Sequence, residues 1–231
     1  MKVCMAVFCE LLEMVEMNVV HVDYAKLFAS SLINNQPQPD PYLECLANFL
    51  RTEAPRVIGH FRTSLLVSSC LDILNGMILE SALPIHSAQK IPGFHEWIRG
   101  WNAGGTAVGQ FLIPTGDQSE SHFTEYVQLL PAISDMQSYV NDILSFYKER
   151  IIRREKCYLH QVSLENQCSE MESLKELCSR TSSLYLKNCE VMGQSNSHVR
   201  QIYRDYVMGY IEWHFYDELY KLNEMGLRLF P

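Results

Sequence analysis

The stretch Val140-Asn141-Asp142-Ile143-Leu144-Ser145-Phe146-Tyr147-Lys148-Glu149 decides how this chain is read. Its apolar residues recur with a helical rather than an alternating period. On a helix, positions 141, 145 and 149 are four apart and stack on one face. An amide oxygen, a hydroxyl and a carboxylate in a column are three oxygen ligands for a hard divalent cation. Magnesium suits them, because it accepts few protein ligands and takes substrate phosphate oxygens for the rest. Lys148 sits one residue from the column's end, where its flexible ammonium can reach the same phosphates. The same residues also read as a polar stripe facing solvent, since such spacing is common on helix surfaces.

Outward from this segment the periodicity stays helical. The helix holding the column is expected to run to about Arg150, with Pro131 as a kink or boundary, and SESHFTE (119–125) as its cap. Residues 41–57 form a short amphipathic stretch after the open loop NNQPQPDP. Within 61–80, apolar residues at 65, 66, 70, 73, 74, 77 and 78 trace one broad helix face. Glycines 104, 105 and 109 should weaken or break a helix in HEWIRGWNAGGTAVGQFLI. Residues 163–190 read as a more polar helix, the Gly193 to Ser197 region as a turn, and 198–222 as a last helix rich in aromatics. No strand pairs or internal repeats stand out. The expected architecture is all-α, with residues 1–231 as one domain.

Composition narrows the function classes. The 231 residues are 47% hydrophobic, enough for a sizeable core, and 27 acidic against 19 basic residues give a formal charge of −8. That balance argues against a nucleic-acid partner, whose phosphates call for a basic surface. No run of eighteen apolar residues appears, and glutamates at 10, 13 and 16 interrupt the apolar N-terminus, so neither a membrane span nor a secretory signal is expected. The expectation is a soluble, cytoplasmic protein. Eight cysteines form no CxxC pair, and Cys70 lies in an apolar run where a thiol acts as a small hydrophobe. Packing, not disulfides or zinc, is their expected role.

NDILSFYKE resembles the second metal-binding motif of class I terpene synthases, (N/D)Dxx(S/T)xxxE, in the form seen in fungal trichodiene synthases. RGWNAGGTAVG, beginning 42 residues before Asn141, looks like the family's segment holding the diphosphate-sensing arginine and the helix break, with Arg99 at the arginine's position and Asn102, Gly105 and Gly109 in register. VMGYIEWHFYDELYKL resembles the C-terminal helix that ends in an Arg-Tyr pair, which places Tyr220 at the tyrosine. HFRTSLLVSSCLDILNG is also similar. The resemblance implies an all-α helical bundle around a deep apolar cavity, magnesium as cofactor, and an isoprenoid diphosphate, farnesyl diphosphate, as substrate. Asn141, Ser145 and Glu149 would then hold a magnesium ion, and Arg99 and Lys148 would grip diphosphate. Trp101, Tyr139, Tyr210 and Trp213 are candidate cavity aromatics that could stabilise a carbocation by cation–π attraction. Each of them also reads as ordinary core packing. A homodimer is one assembly the resemblance admits.

The chain departs from the family's pattern in two places. No aspartate-rich motif precedes residue 28; Glu10, Glu13, Glu16 and Asp23 lack the paired aspartates. The chain is therefore expected to correspond to roughly the C-terminal two-thirds of a family member. Leu219 stands where the arginine of the terminal pair belongs, and on a continuous helix Lys221 would point about 200° further round. The cluster Arg150, Arg153, Arg154 and Lys156 reads as a diphosphate attractor or as a solvated helix end. Three functions stay open on these grounds: a sesquiterpene synthase, an impaired or truncated homologue that at most binds isoprenoid diphosphate, and a helical protein–protein adaptor.

Overall fold

The computed structural model describes residues 1–16, 20–82, 91, 93–102, 104–114 and 124–229, and no strand occurs among them. The all-α expectation holds. The expected cap at 119–125 and the loop at 83–90 lie largely outside the described residues. The chain forms two compact units: Met1–Lys90 with Trp101–Phe123, and Ile91–Gly100 with Thr124–Pro231.

The first unit is built from α1 (Lys2–Glu16), the short helices α2 (Val22–Ala25) and α3 (Phe28–Ile33), α4 (Pro41–Asn48), α5 (Ala54–Ile58), α6 (His60–Ala82) and α8 (Gly105–Leu112). Helix α4 starts where Asp40 accepts hydrogen bonds from the Tyr42 and Leu43 amides, and Pro41 fills the first helical position, where no donor is needed. The expected amphipathic stretch at 41–57 is helical, with a π-helical turn over Phe49–Glu53. That turn lies just ahead of Pro55, which has no N–H for the carbonyl four residues back and crowds it with its ring. Gly59, at φ 77°, ends α5.

Helix α6 confirms the broad apolar face: Leu66, Cys70, Ile73 and Leu74 are buried in a core with Phe8, Leu43, Phe49 and Phe111. By length and mean hydropathy (1.3) alone, His60–Glu80 would pass as a membrane-crossing helix. One face of it packs with the apolar residues of α1, α4 and α8 in the core of this unit. Arg62, unsuspected from the sequence, is buried on the same helix. Its guanidinium donates to the carbonyls of Gln110, Ile113 (2.8 Å) and Pro114 (3.2 Å), capping the end of α8.

The glycine-marked break falls at one point. Helix α7 (Phe94–Asn102) stops, Gly104 adopts φ 72°, and α8 begins at Gly105. Gly105 and Gly109 lie buried within α8 and do not break it.

The second unit holds most of α7, α9 (Leu129–Phe146), α10 (Tyr158–Asn166), α11 (Glu170–Ser195) and α12 (Ser197–Tyr216). Pro131 sits in the first turn of α9, so it marks a boundary rather than a kink. The helix does not continue in α form to Arg150: a π-helical turn takes over at Tyr147–Ile152. The single polar helix expected at 163–190 is two helices. Gln167 takes the left-handed conformation at φ 54°, and Ser169 and Glu172 form a reciprocal capping box that starts α11. The turn near Gly193 narrows to Asn196, which ends α11 and caps α12 by accepting from the His198 and Val199 amides.

The last helix also ends early, at Tyr216. Asp217 accepts from the Leu219 amide and turns the chain into two short 3-10 turns, Glu218–Tyr220 and Leu222–Met225. The helical-wheel argument for Lys221 therefore lapses. Lys221 has φ 60°, is exposed, and pairs with Glu224 at 3.4 Å. All eight cysteines are free, with Cys70 and Cys157 buried.

Candidate functional site

Helices α7, α9 and α12 of the second unit bring one polar group together. Arg99, in the last turn of α7, faces the start of the 141–149 column. Its Nε donates to Asp142 Oδ2 at 3.2 Å, and its Nη2 lies 3.0 Å from Asp142 Oδ1, a two-pronged pair. Nη2 also donates to Asn141 Oδ1 at 3.1 Å and to the Ser138 carbonyl at 3.4 Å. Asn141 Nδ2 lies 3.4 Å from Nε2 of His214 on α12, and His214 Nδ1 lies 2.8 Å from the Tyr210 carbonyl.

One turn along α9, Ser145 is fully buried and its Oγ has no hydrogen-bond partner. In a packed interior such an orphan hydroxyl is unusual and calls for an explanation. Beyond it, in the π-helical turn, Lys148 is buried, with Nζ 3.4 Å from Glu149 Oε1 and 4.6 Å from the centroid of the Tyr220 ring. Tyr220, itself buried, packs 4.3 Å from His214 and edge-on to Trp213. Lys148 and Tyr220, far apart in sequence, thus meet beside the column's end.

The electrostatics follow from burial. Removal from water pushes the Asp142 carboxyl up to about 6; Arg99 opposes that shift and Glu149 adds to it. Asp142 is still ionised at pH 7 and paired with Arg99. Burial pushes His214 down to about 4, against the pull of the Tyr210 carbonyl and with help from Lys148, so its imidazole is neutral at pH 7.

The candidate aromatics separate. Tyr210 and Trp213 belong to a run with Tyr206 along α12, the rings near-parallel (8° and 12°) at 5.8 Å spacing. Tyr206 was not singled out in the sequence; its hydroxyl donates to Gln137 Oε1 at 2.6 Å. Tyr139 does not face the column. Its hydroxyl donates to Glu96 at 3.4 Å, the Arg180 guanidinium covers its ring at 4.9 Å, and it packs with Phe146, Leu159 and Leu177. Trp101 is half-buried and belongs to the first unit. A cavity of about 190 Å³ in the second unit, lined by Pro131, Asp135, Asn188 and Met192 among others, holds none of the expected residues.

The basic cluster is partly neutralised. Arg150 Nε donates to both carboxylate oxygens of Glu170 (2.7 and 2.9 Å), and Arg153 lies 3.7 Å from Glu155. Leu219 is half-buried and supplies no cation next to Tyr220. Two residues central to the group, Asp142 and His214, had no role in the sequence reading. Asp142 was inside the quoted motif, and His214 inside the segment likened to the C-terminal helix.

Among the described residues, no three His, Cys, Asp or Glu side chains cluster as a metal cage. The donor set of the column is one amide oxygen, one hydroxyl and one carboxylate. The partnerless Ser145 Oγ fits a hard cation that takes only a few oxygens from protein.

The chain is all-α, and its second unit brings Arg99 to Asn141 and Asp142 with Lys148 beside Glu149. The comparisons give the family. The family model described as trichodiene synthase (TRI5) matches residues 6–228, and the chain belongs to that family. It is 27% identical to a trichodiene synthase of Trichoderma arundinaceum over 206 residues, covering 84% of this chain and 50% of the relative. It is 31% identical to terpene synthase 29 of Postia placenta over 100 residues, 43% of this chain and 29% of the relative. An (E)-beta farnesene synthase of Metarhizium brunneum is 25% identical over 209 residues, 88% of this chain and 62% of the relative. The match spans between 29% and 62% of the length of these curated relatives.

Proposed function

We propose that the chain carries the second metal site and diphosphate grip of a sesquiterpene synthase, one that ionises farnesyl diphosphate and cyclises the resulting cation. The observation that carries this reading is the column itself: Asn141 Oδ1 held by Arg99, with the partnerless, fully buried Ser145 Oγ one turn on. Asn141, Ser145 and Glu149 would hold magnesium, which supplies charge to stabilise a departing diphosphate.

The protein's own groups do the rest. Arg99 has a planar guanidinium suited to phosphate oxygens, paired through Nε and Nη2 with Asp142, and diphosphate would exchange with these partners. The Lys148 ammonium, desolvated against Tyr220, adds a second positive charge beside Glu149. Fixed donors of this kind stabilise the charge that grows on the leaving oxygen and favour cleavage of the allylic bond. The buried Tyr220 ring offers negative π-surface to the Lys148 ammonium above it, and the exposed Trp213 packs edge-on to that ring.

A second reading, an impaired homologue that binds isoprenoid diphosphate without turnover, is favoured by Leu219. A leucine stands beside Tyr220, and Lys221 is directed to Glu224 instead. Removing one preorganised donor to a leaving group costs about 3–4 kcal/mol of transition-state stabilisation.

Incubating the purified chain with farnesyl diphosphate and magnesium, beside an Asn141→Ala/Glu149→Ala double variant, separates the readings. Cyclic sesquiterpenes and released diphosphate that disappear in the variant are the expected result. Metal-dependent binding of diphosphate without product supports the second reading. A folded chain that neither binds nor turns over overturns both.

A further inference from the structure

We propose that His214 is a positioning residue: its Nε2 lone pair holds the Asn141 side chain so that Oδ1, not the amide nitrogen, is the atom turned to Arg99 and offered to a cation, and this is why position 141 takes Asn rather than Asp. The proposal rests on the column being a cation site, the reading given above.

The argument is one of donors and acceptors. A backbone carbonyl can only accept, so His214 Nδ1, 2.8 Å from the Tyr210 carbonyl, must carry the proton. In the neutral ring Nε2 is then a bare acceptor. It faces Asn141 at 3.4 Å, where an amide NH2 can donate and an amide oxygen cannot. On the other side of the amide, Arg99 Nη2 is a donor at 3.1 Å and requires oxygen there. Two independent partners thus fix the same rotamer. A flipped amide would set a donor against Arg99 and an acceptor against His214. His214 is fully buried between Tyr210 and Tyr220, so it cannot turn away from Asn141 towards water.

The consequence is coupling between positions 141 and 214. A carboxylate at 141 is ordinarily the stronger cation ligand, but here it would press an oxygen against the Nε2 lone pair. The asparagine is therefore tied to the histidine. A glutamine at 214, whose amide can present either end, should relax the constraint. Partners that orient a metal ligand from outside typically alter metal affinity by about 10–100-fold when lost.

The test uses Mn2+ with inorganic diphosphate as probe, read by electron paramagnetic resonance, on the 231-residue chain. His214→Leu is expected to weaken Mn2+ binding about tenfold or more, and His214→Gln to stay within about threefold of wild type. Asn141→Asp should bind poorly on its own and recover when combined with His214→Gln. Wild-type binding that His214→Leu leaves intact overturns this inference alone. Failure of the wild type to take up Mn2+ overturns the cation-site reading and this inference with it. A measurement on the unaltered protein covers the case in which His214→Leu does not fold. The 15N spectrum of the imidazoles should show His214 as the Nδ1–H tautomer, and the Nε2–H form would overturn the assignment.

Discussion

The interiors of the two units solve the same packing problem differently. The first is an apolar core in which Phe8, Phe49 and Phe111 meet at 5.7–6.3 Å, and its buried cation, Arg62, donates to backbone carbonyls through both Nη atoms while its Nε has no partner. The second places Arg99, Asp142, Asn141, His214 and Lys148 inside or near its interior, each partnered by another side chain. A cation that caps backbone is a structural device, since its partners are fixed by the fold. Side chains that hold one another can be exchanged for a ligand, and the partnerless buried hydroxyl of Ser145 lies among them, whereas the first unit's partnerless buried atoms, Gln38 Oε1, Arg62 Nε and Gln110 Oε1, belong to no such group of paired side-chain charges among the described residues.

The sharpest way to break this contrast is to remove the two arginines. Arg99→Leu leaves the Asp142 carboxylate buried without its cation and should cost about 3–5 kcal/mol in equilibrium urea unfolding. Arg99→Leu/Asp142→Leu should recover most of that loss, because the stranded charge is gone. Arg62→Leu should cost about 2–3 kcal/mol, with no second side-chain change able to restore it, since its acceptors are main-chain carbonyls.

Next in size is the pH dependence of stability in the metal-free chain, measured with chelator present. Asp142 rises from 3.8 to about 6 on folding, so between those values the folded state holds more protons and stability falls as pH rises. His214 drops from 6.5 to about 4, so its contribution is complete above 6.5 and is lost as pH falls towards 4. The two slopes oppose each other between about pH 4 and 6. Asp142→Asn should expose the histidine's slope, worth about 3 kcal/mol across its window, and His214→Gln should expose the opposite one.

Smaller effects sharpen the comparison. Ser169→Ala removes the capping box of α11 and should cost about 1 kcal/mol. Ser145→Ala should leave stability within about 0.5 kcal/mol of wild type or raise it, while weakening Mn2+ and diphosphate uptake. A hydroxyl kept for packing would show the reverse.

The sequence revealed those features that one segment carries by itself. The apolar face at 66, 70, 73 and 74 was legible because burial follows the helical period. The break at Gly104 was legible because glycine alone relaxes a left-handed φ. The break at Gln167 was not, since a glutamine in that conformation carries no such mark; the Ser169-to-Glu172 spacing was the usable signal. In the site, Asn141, Ser145 and Arg99 could be named from spacing and resemblance. Asp142 and His214 could not, because their roles depend on partners supplied by α7 and α12, and the choice between cavity and core packing for Tyr139 was open for the same reason: its surroundings come from Glu96 and Arg180.

Residues four apart on an α-helix are not quite in line; each step drifts by about 40°, so a ladder of three fans out by about 80° end to end. The π-helical turn beginning at Tyr147 interrupts that drift. A turn closed by bonds five residues apart advances roughly 80° per residue instead of 100°. Over the two steps from Tyr147 to Glu149 this takes back about 40°, which is the whole excess accumulated since Ser145. Taken by angle alone, the widened turn acts as a correction: it brings backbone position 149 back towards the line of position 145, which an uninterrupted helix of the same sequence would overshoot.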